Sequence, residues 1–445
     1  MSNRILSKLL LSRHEKRKKP GHLMKLSPNN PLRRPGYRFF MLFQVVTSMG
    51  GGFHFVASHW ILYGETGSTS STAWLVISHM LPVFLTNPVC GVLVDRYNRR
   101  KLLVLGTAYS CLLDLALLGL MGAGKFEPWH LFVYSPLMSV GGTLYWTALP
   151  AFLRENLDKS ELLHANGLNT ALMQGGYLLG AGLAGLLYHI LGAFGSFCVD
   201  AAGFGIGCLG WVFIQRWFRD RKRVHPPGYT GHNFSREFKE GVSYALANKA
   251  LFVLALFGLV PRFAANAVNV LLAGFCMDSL KVGAKGFGIL DMSYGFGAML
   301  AGLVLPSFFA RIGSSPWLPT LAILVAAGAI YMEAASSSLV MALLFMALFG
   351  MACHVSGIIT SATLQTECGE HILGRISSLV NVANFVVNPL LIWALGQIAA
   401  QEAGWLVHKD PIRDGFVVVA IFNLVVAALS LAGVYPFLRK LGKAG

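Results

Sequence analysis

Long apolar runs follow one another along most of this chain. A first set falls at roughly 38–63, 71–94, 101–123, 128–153, 162–190 and 193–216, and a second at roughly 248–276, 286–310, 317–334, 338–364, 373–400 and 414–438. A bilayer core takes about 20 apolar residues per helix, so each run is long enough to cross it. Between the sets lies the longest polar stretch, 217–247. There Pro226-Pro227-Gly228 precedes Phe234, Phe238, Val242 and Leu246 at helical spacing. That spacing predicts a lateral helix lying on the membrane face. The pattern predicts an all-α membrane protein of about twelve transmembrane helices in two six-helix halves, an internal repeat. The units are a basic tail (1–37), the first half (38–216), the linker (217–247), the second half (248–438) and a short basic tail (439–445).

Composition agrees. Of 445 residues, 55% are hydrophobic and 13% charged, where a soluble domain carries roughly 25% charged residues. The net charge of +16 would suggest nucleic acid in a soluble chain. Here the basic residues gather in loops. Arg33, Arg34 and Arg38 precede the first run, Arg96, Arg99, Arg100 and Lys101 follow the second, and Arg219, Arg221, Lys222 and Arg223 follow the sixth. Arg439, Lys440 and Lys443 close the chain. The opposite loops hold few basic residues: Lys125, Lys281, Lys285, Lys409 and Arg413. The positive-inside rule puts both termini in the cytoplasm, and no nucleic-acid partner is expected.

The first residues do not read as a signal peptide, because Lys8 interrupts the apolar stretch Ile5–Leu11. That stretch reads either as a short amphipathic helix on anionic lipid or as a basic tail without structure. Seven cysteines, Cys90, Cys111, Cys198, Cys208, Cys276, Cys353 and Cys368, show no CxxC spacing and read as small apolar residues. Two GxGxxG stretches, from Gly180 and from Gly205, lie inside membrane runs and read as packing glycines. No HExxH, Walker or nucleophile-elbow pattern occurs, so neither an enzyme nor a metal site is expected.

The loop after the second run reads Gly91-Val92-Leu93-Val94-Asp95-Arg96-Tyr97-Asn98-Arg99-Arg100-Lys101. It resembles the cytoplasmic signature of the major facilitator superfamily, and it sits where that family carries it. Gly91 permits close helix approach, Asp95 caps or pairs at a helix end, and Arg96, Arg99 and Arg100 hold the loop by ion pairs. Asn98 stands where the family has glycine, and a tight turn there would need positive φ, which Asn tolerates. The resemblance implies an inter-half latch between Asp95 and the start of the eleventh helix, with Arg375 as partner. The equivalent second-half loop, Ala310-Arg311-Ile312-Gly313, lacks the acid, so the latch is asymmetric.

The fifth run carries Gly167, Gly176, Gly180, Ala181, Ala184 and Gly185, similar to the helix motif of antiporting facilitators. The other reading of these residues is close small-residue packing. The stretches Ala148-Leu149-Pro150, Leu163-His164-Ala165-Asn166, Phe197 to Phe204, Glu240 to Tyr244 and Gly374-Arg375 resemble the family's bacterial exporter branch, which holds macrolide efflux and enterobactin export proteins. The resemblance spans 38–438. It implies a multi-pass protein of the bacterial inner membrane working by alternating access, with a proton gradient as energy source and no cofactor.

Polar residues inside the runs supply the candidate site. Arg262, Asn266 and Asn269 share a face of the seventh run, and Asn381, Asn384 and Asn388 a face of the eleventh. Gln44 and His54 lie toward one side of the first. A mid-membrane Arg costs roughly 2.5–3.5 kcal/mol on insertion scales and so faces a cavity or a partner. One reading makes these residues a substrate cavity suited to an anionic group, and the other makes them glue between helices. Asp114, in the middle of the third run, is the candidate for proton coupling, with Asp200 second. Asp291 and Glu333 read as solvated near the outer surface. The expected function is proton-coupled export, by antiport, of a small amphipathic or anionic molecule: a siderophore or an antibiotic-like compound, as in drug resistance. An importer or flippase of a lipid or metabolite, and a non-transporting receptor or assembly protein, are the alternatives. The expected partners are that small molecule and membrane lipids, around a chain acting as a monomer.

Overall fold

The computed structural model describes residues 31–214, 217–218, 260–312, 318–367, 384–385, 388–399 and 410–441. Within these residues the chain is helical and carries no strand. The form follows from the setting, since an apolar medium offers backbone groups no partner outside the helix.

The helices are α1 (Pro35–Thr66), α2 (Thr69–Arg96), α3 (Arg99–Gly122), α4 (His130–Asn156) and α5 (Lys159–Ile214). They continue as α6 (Val260–Gly274, extended by a π turn at Phe275–Ser279), α7 (Gly283–Ile312), α8 (Leu318–Ala335), α9 (Leu339–Glu367) and α10 (Pro411–Leu441). Residues 388–399 are helical as well. Observed ends lie within a few residues of the apolar runs wherever both ends are described. The lateral helix expected over 217–247 falls almost wholly outside the described residues, as does the basic tail before 31.

Local chemistry sets the ends. Pro35 opens α1 with its missing N–H and preset φ. Gly67 closes it at φ 60°, its N–H donating to the Tyr63 carbonyl at 2.7 Å. At the start of α5, Glu161 accepts from the Asp158 N–H at 2.9 Å, the carboxylate half of a capping box, while the Asp158 carboxylate pairs with Arg34 at 2.8 Å. Asn98 has φ −66°, not the positive φ expected of it. Its Oδ1 instead accepts from the Arg100 and Lys101 N–H groups at 3.0 and 3.3 Å, so it is the N-cap of α3. A side-chain acceptor stands here where glycine would offer none.

α5 holds two passes. Its apolar part, 44 residues, would be ~65 Å long if straight, twice the membrane core. Gly192, at φ 60° and ψ −165°, breaks it. This conformation is open essentially to glycine alone. The two arms, 159–191 and 193–214, then return to the same end of α1: Glu161 lies 2.7 Å from Arg34, and a Cβ on Gly36 would stand 2.7 Å from Trp217.

α1 packs against both arms. A Cβ on Gly180 would lie 2.0 Å from the Met49 carbonyl oxygen, so only glycine admits this crossing. Large apolar side chains such as Leu112, Leu209 and Val340 are exposed, as a lipid-facing surface requires. The two halves meet along α5 and α7, where a Cβ on Gly185 would lie 2.7 Å from the Gly288 Cα. Hydrogen bonds join them where α1 gives way to α2. Tyr63 donates to Asp278 Oδ2 at 2.5 Å, Thr72 to the Val270 carbonyl at 2.8 Å, and Gln397 to Ser70 Oγ at 2.8 Å.

Two sequence readings are corrected. Asp291 and Glu333 are buried, not solvated. Asp291 Oδ2 and both Glu333 carboxylate oxygens accept no hydrogen bond. Helix packing covers both residues, which depth along an apolar run does not reveal.

Candidate functional site

Four helices of the first half converge on one buried polar cluster. α1 contributes His54, α3 Asp114, α4 Tyr134 and the second arm of α5 Asp200. Asp114 and Asp200 are fully buried. Donor atoms of His54, Asp114 and Asp200 all lie within 4.8 Å of one another. The Tyr134 hydroxyl donates to Asp114 Oδ1 and lies 3.2 Å from His54 Nδ1. With the phenolic proton committed to Asp114, the Tyr134–His54 contact needs the hydrogen on Nδ1. His54 Nδ1 is also 3.3 Å from Asp200 Oδ2. Asp114 Oδ2 and both Asp200 oxygens accept no hydrogen bond. Phe197 closes the cluster, edge-on to His54 at 5.7 Å between ring centroids.

The electrostatics follow from the spacing. Two ionised carboxylates about 5 Å apart repel by roughly 3–4 kcal/mol at an effective dielectric near 20. A proton or a cation between them removes that repulsion. Positive charge is therefore favoured between the two carboxylates, and His54 and Tyr134 stand within hydrogen-bond reach of them.

The other sequence-named residues distribute as follows. Gln44 is buried inside the first half, where its Oε1 accepts from the Tyr145 hydroxyl. Asn266 is half-buried, its Nδ2 3.9 Å from the Met80 sulfur across the two halves, and Asn269 is also half-buried. Asn388 Nδ2 donates to Asn384 Oδ1 at 2.8 Å, both residues being buried, and Asn388 Oδ1 has no partner among the described residues. Arg262 lies in α6, but its side chain falls outside the described residues, as do Asn381, Arg375 and the side chain of Asp95. Of the signature loop, Arg99 pairs with Glu155 of α4, and Arg100 donates to the Phe218 carbonyl at 3.2 Å. Gly91 is half-buried, but a Cβ on it would meet no described atom within 4 Å, so the close helix approach expected of it is not seen among the described residues; Arg96 is exposed. Gly176 and Gly180 lie against α1, and Gly185 against α7, so the helix motif is a packing seam on both sides.

The structure thus brings together Asp114, Asp200 and His54, which the sequence assigned separately to coupling and to a cavity. Tyr134 had no such assignment, since one tyrosine in an apolar run carries no spacing signal. Glu155, the partner of Arg99, was missed because its pairing depends on how α4 ends beside α3.

Comparison with known proteins agrees with this architecture. Residues 40–392 match the family model described as Major Facilitator Superfamily. Macrolide efflux protein A of Streptococcus pyogenes is 26% identical over 250 residues, 55% of this chain and 59% of that protein, so the match spans little more than half of the relative's length. Enterobactin exporter EntS of Shigella boydii is 27% identical over 335 residues, 72% of this chain and 76% of that protein. Among solved structures, a bacterial homologue of the human lysosomal transporter Spinster, inward-facing and unoccupied, superposes with a TM-score of 0.71 at 14% identity, over 93% of this chain and 98% of that one. The helical hairpins, the packed halves and the family match give one conclusion: the chain is a multi-pass membrane transporter that belongs to the Major Facilitator Superfamily.

Proposed function

We propose that this protein is a proton-coupled exporter of a small amphipathic or anionic organic molecule, working by alternating access from the bacterial inner membrane with both termini cytoplasmic. A siderophore or an antibiotic-like compound is the substrate class. Support for export comes from the matched relatives, whose names specify macrolide efflux and enterobactin export.

One observation carries the coupling: Asp114 and Asp200 share a buried cluster with His54 and Tyr134. Protonation of the pair relieves its repulsion, and deprotonation restores it. A rearrangement of α1, α3, α4 and α5 that changes the pair's separation is thereby linked to proton binding. α1 also carries Tyr63 to the inter-half contact with Asp278, so one helix joins the coupling cluster to the surface on which the halves move. Arg262, Asn266, Asn269, Asn381, Asn384 and Asn388 are the proposed substrate-facing residues, with Arg262 recognising the anionic group.

The test uses inverted vesicles containing the full chain, a pH-sensitive dye and two probes, a macrolide and enterobactin. Addition of a probe dissipates the proton gradient in the unaltered protein, and Asp114→Asn abolishes that response with expression retained. An Asp114→Asn protein that moves protons as fast as the original overturns the coupling.

A further inference from the structure

His54, Asp114 and Asp200 carry donor atoms of two chemical kinds on three helices. We propose that they form a binding site for a first-row divalent transition ion, which enters in exchange for the protons that the cluster otherwise holds. The exchange rests on the coupling reading above; the binding of the ion does not.

Four observations carry the site. The first is geometry. Ligand atoms about 2.1 Å from a tetrahedral ion stand ~3.4 Å from one another. His54 Nδ1 and Asp200 Oδ2 are already 3.3 Å apart. No pair of ligand atoms in the group stands more than 4.8 Å apart. The second is unmet valence. Asp114 Oδ2 and Asp200 Oδ1 lie in fully buried side chains and accept no hydrogen bond, and Asp200 Oδ2 has only His54 Nδ1 beside it, at 3.3 Å. Buried carboxylate oxygens without donors are costly, and a cation satisfies them. The third is the donor set. Two carboxylates offset the charge of a divalent ion, and an imidazole nitrogen favours zinc, cobalt, manganese or iron over sodium, magnesium or calcium. The fourth is the surrounding shell. Tyr134 donates to Asp114 Oδ1 and so orients that ligand, while Phe197 keeps one side dry. The His54 side chain is 21% exposed and marks the entry path.

No metal-ligand spacing announces this site, because its members come from α1, α3 and α5. Ligation needs both carboxylates ionised and His54 Nδ1 free of hydrogen. Each bound ion therefore displaces protons, and acid weakens it by about tenfold per pH unit for each proton displaced. A bound ion occupies the atoms that coupling uses, so it arrests proton movement.

The test takes the full chain, purified in detergent and stripped with EDTA, and titrates it with Co²⁺ by calorimetry and visible absorption. The expected result is one ion per chain, with the d–d bands of a nitrogen and oxygen site. Affinity falls at least tenfold in Asp200→Asn and in Asp114→Asn, falls on acidification, and is unchanged in Asp291→Asn. Should the Asp variants fail to fold, His54→Gln gives the same reading, provided that it keeps its elution volume and melting temperature. Absence of saturable binding overturns the proposal. So does binding that survives Asp114→Asn and Asp200→Asn, which places the ion on surface histidines. Substrate-driven proton flux without Co²⁺ binding sinks the metal site alone. Co²⁺ binding without such flux sinks the coupling reading alone.

Discussion

The two halves treat buried acids in opposite ways. The first half gathers Asp114 and Asp200 within reach of His54 and Tyr134. Among the described residues of the second half no such cluster appears: Asp291 and Glu333 lie apart from each other, and the buried Asp414 has partners of its own at the start of α10. Asp291 lies near Tyr177 on the seam with α5, and Glu333 lies near Arg413 at the end of α8. Arg413 spends its Nη1 hydrogens on the carbonyls of Ala334 and Ser336, at 2.5 and 2.8 Å, rather than on Glu333. A paired acid can pass charge to a neighbour, whereas a solitary buried one has nowhere to send it. The two halves share a helical plan, but the proposed coupling chemistry belongs to one of them.

The largest expected effect breaks that contrast directly. Asp114→Asn lowers substrate-driven proton flux by at least ~100-fold, the scale of a lost proton-transfer group. Asp291→Asn changes it less than about threefold, because Asn keeps the buried shape and no proton path is lost. Flux measured in inverted vesicles decides between them. Equal loss in both variants would end the asymmetry.

Next comes the packing that carries the cluster. Gly180→Ala places a Cβ 2.0 Å from the Met49 carbonyl oxygen, a clash with backbone that costs about 1–3 kcal/mol. Gly175, five residues earlier on the same arm, meets no described atom within 4 Å, and Gly175→Ala should leave the melting temperature unchanged or slightly raised. Thermal melts of the two variants in detergent compare a glycine needed for close approach with one that is not.

A smaller effect belongs to the inter-half contact. Tyr63→Phe removes the 2.5 Å donation to Asp278. A hydrogen bond to a charged group contributes about 1.5–3 kcal/mol, so the open state at that end rises roughly tenfold or more in population relative to the closed one. Thiol labelling of Ser68→Cys, at a position outside the inter-half hydrogen bonds named above, reads the change as faster modification.

The smallest concerns Asn98. Asn98→Ala removes the acceptor for the Arg100 and Lys101 N–H groups and costs about 1 kcal/mol. Asn98→Gly, which installs the residue of the resembled family motif, costs only a few tenths. Melting temperatures that fall in the order Asn, Gly, Ala fit a capping role. An Asn98→Gly protein more stable than the original would favour the turn.

Much of the architecture was legible because it is local. A run such as 101–123 declares a helix through its own apolar length, and α3 covers nearly the same residues. The separate runs 162–190 and 193–216 put a break where α5 kinks at Gly192. Other features depended on neighbours. Asn98 read as a turn residue at positive φ, and only its φ of −66° and its contacts with the Arg100 and Lys101 N–H groups made it a cap. Asp291 and Glu333 looked solvated because depth along a run says nothing about what packs on top.

By itself, the sequence determined that this chain lives in a membrane, where its helices run and which loops carry the positive charge. These properties follow from composition over a window of about 20 residues, the thickness of a bilayer written in helix. Only the tertiary structure decided that His54, Asp114, Tyr134 and Asp200 meet. They stand on four helices, and an apolar stripe sets a helix's existence but not its rotation about its own axis. Rotation is set by packing, here by α1 pressed against the glycines of α5. That packing turns two isolated acids into a cluster able to hold charge.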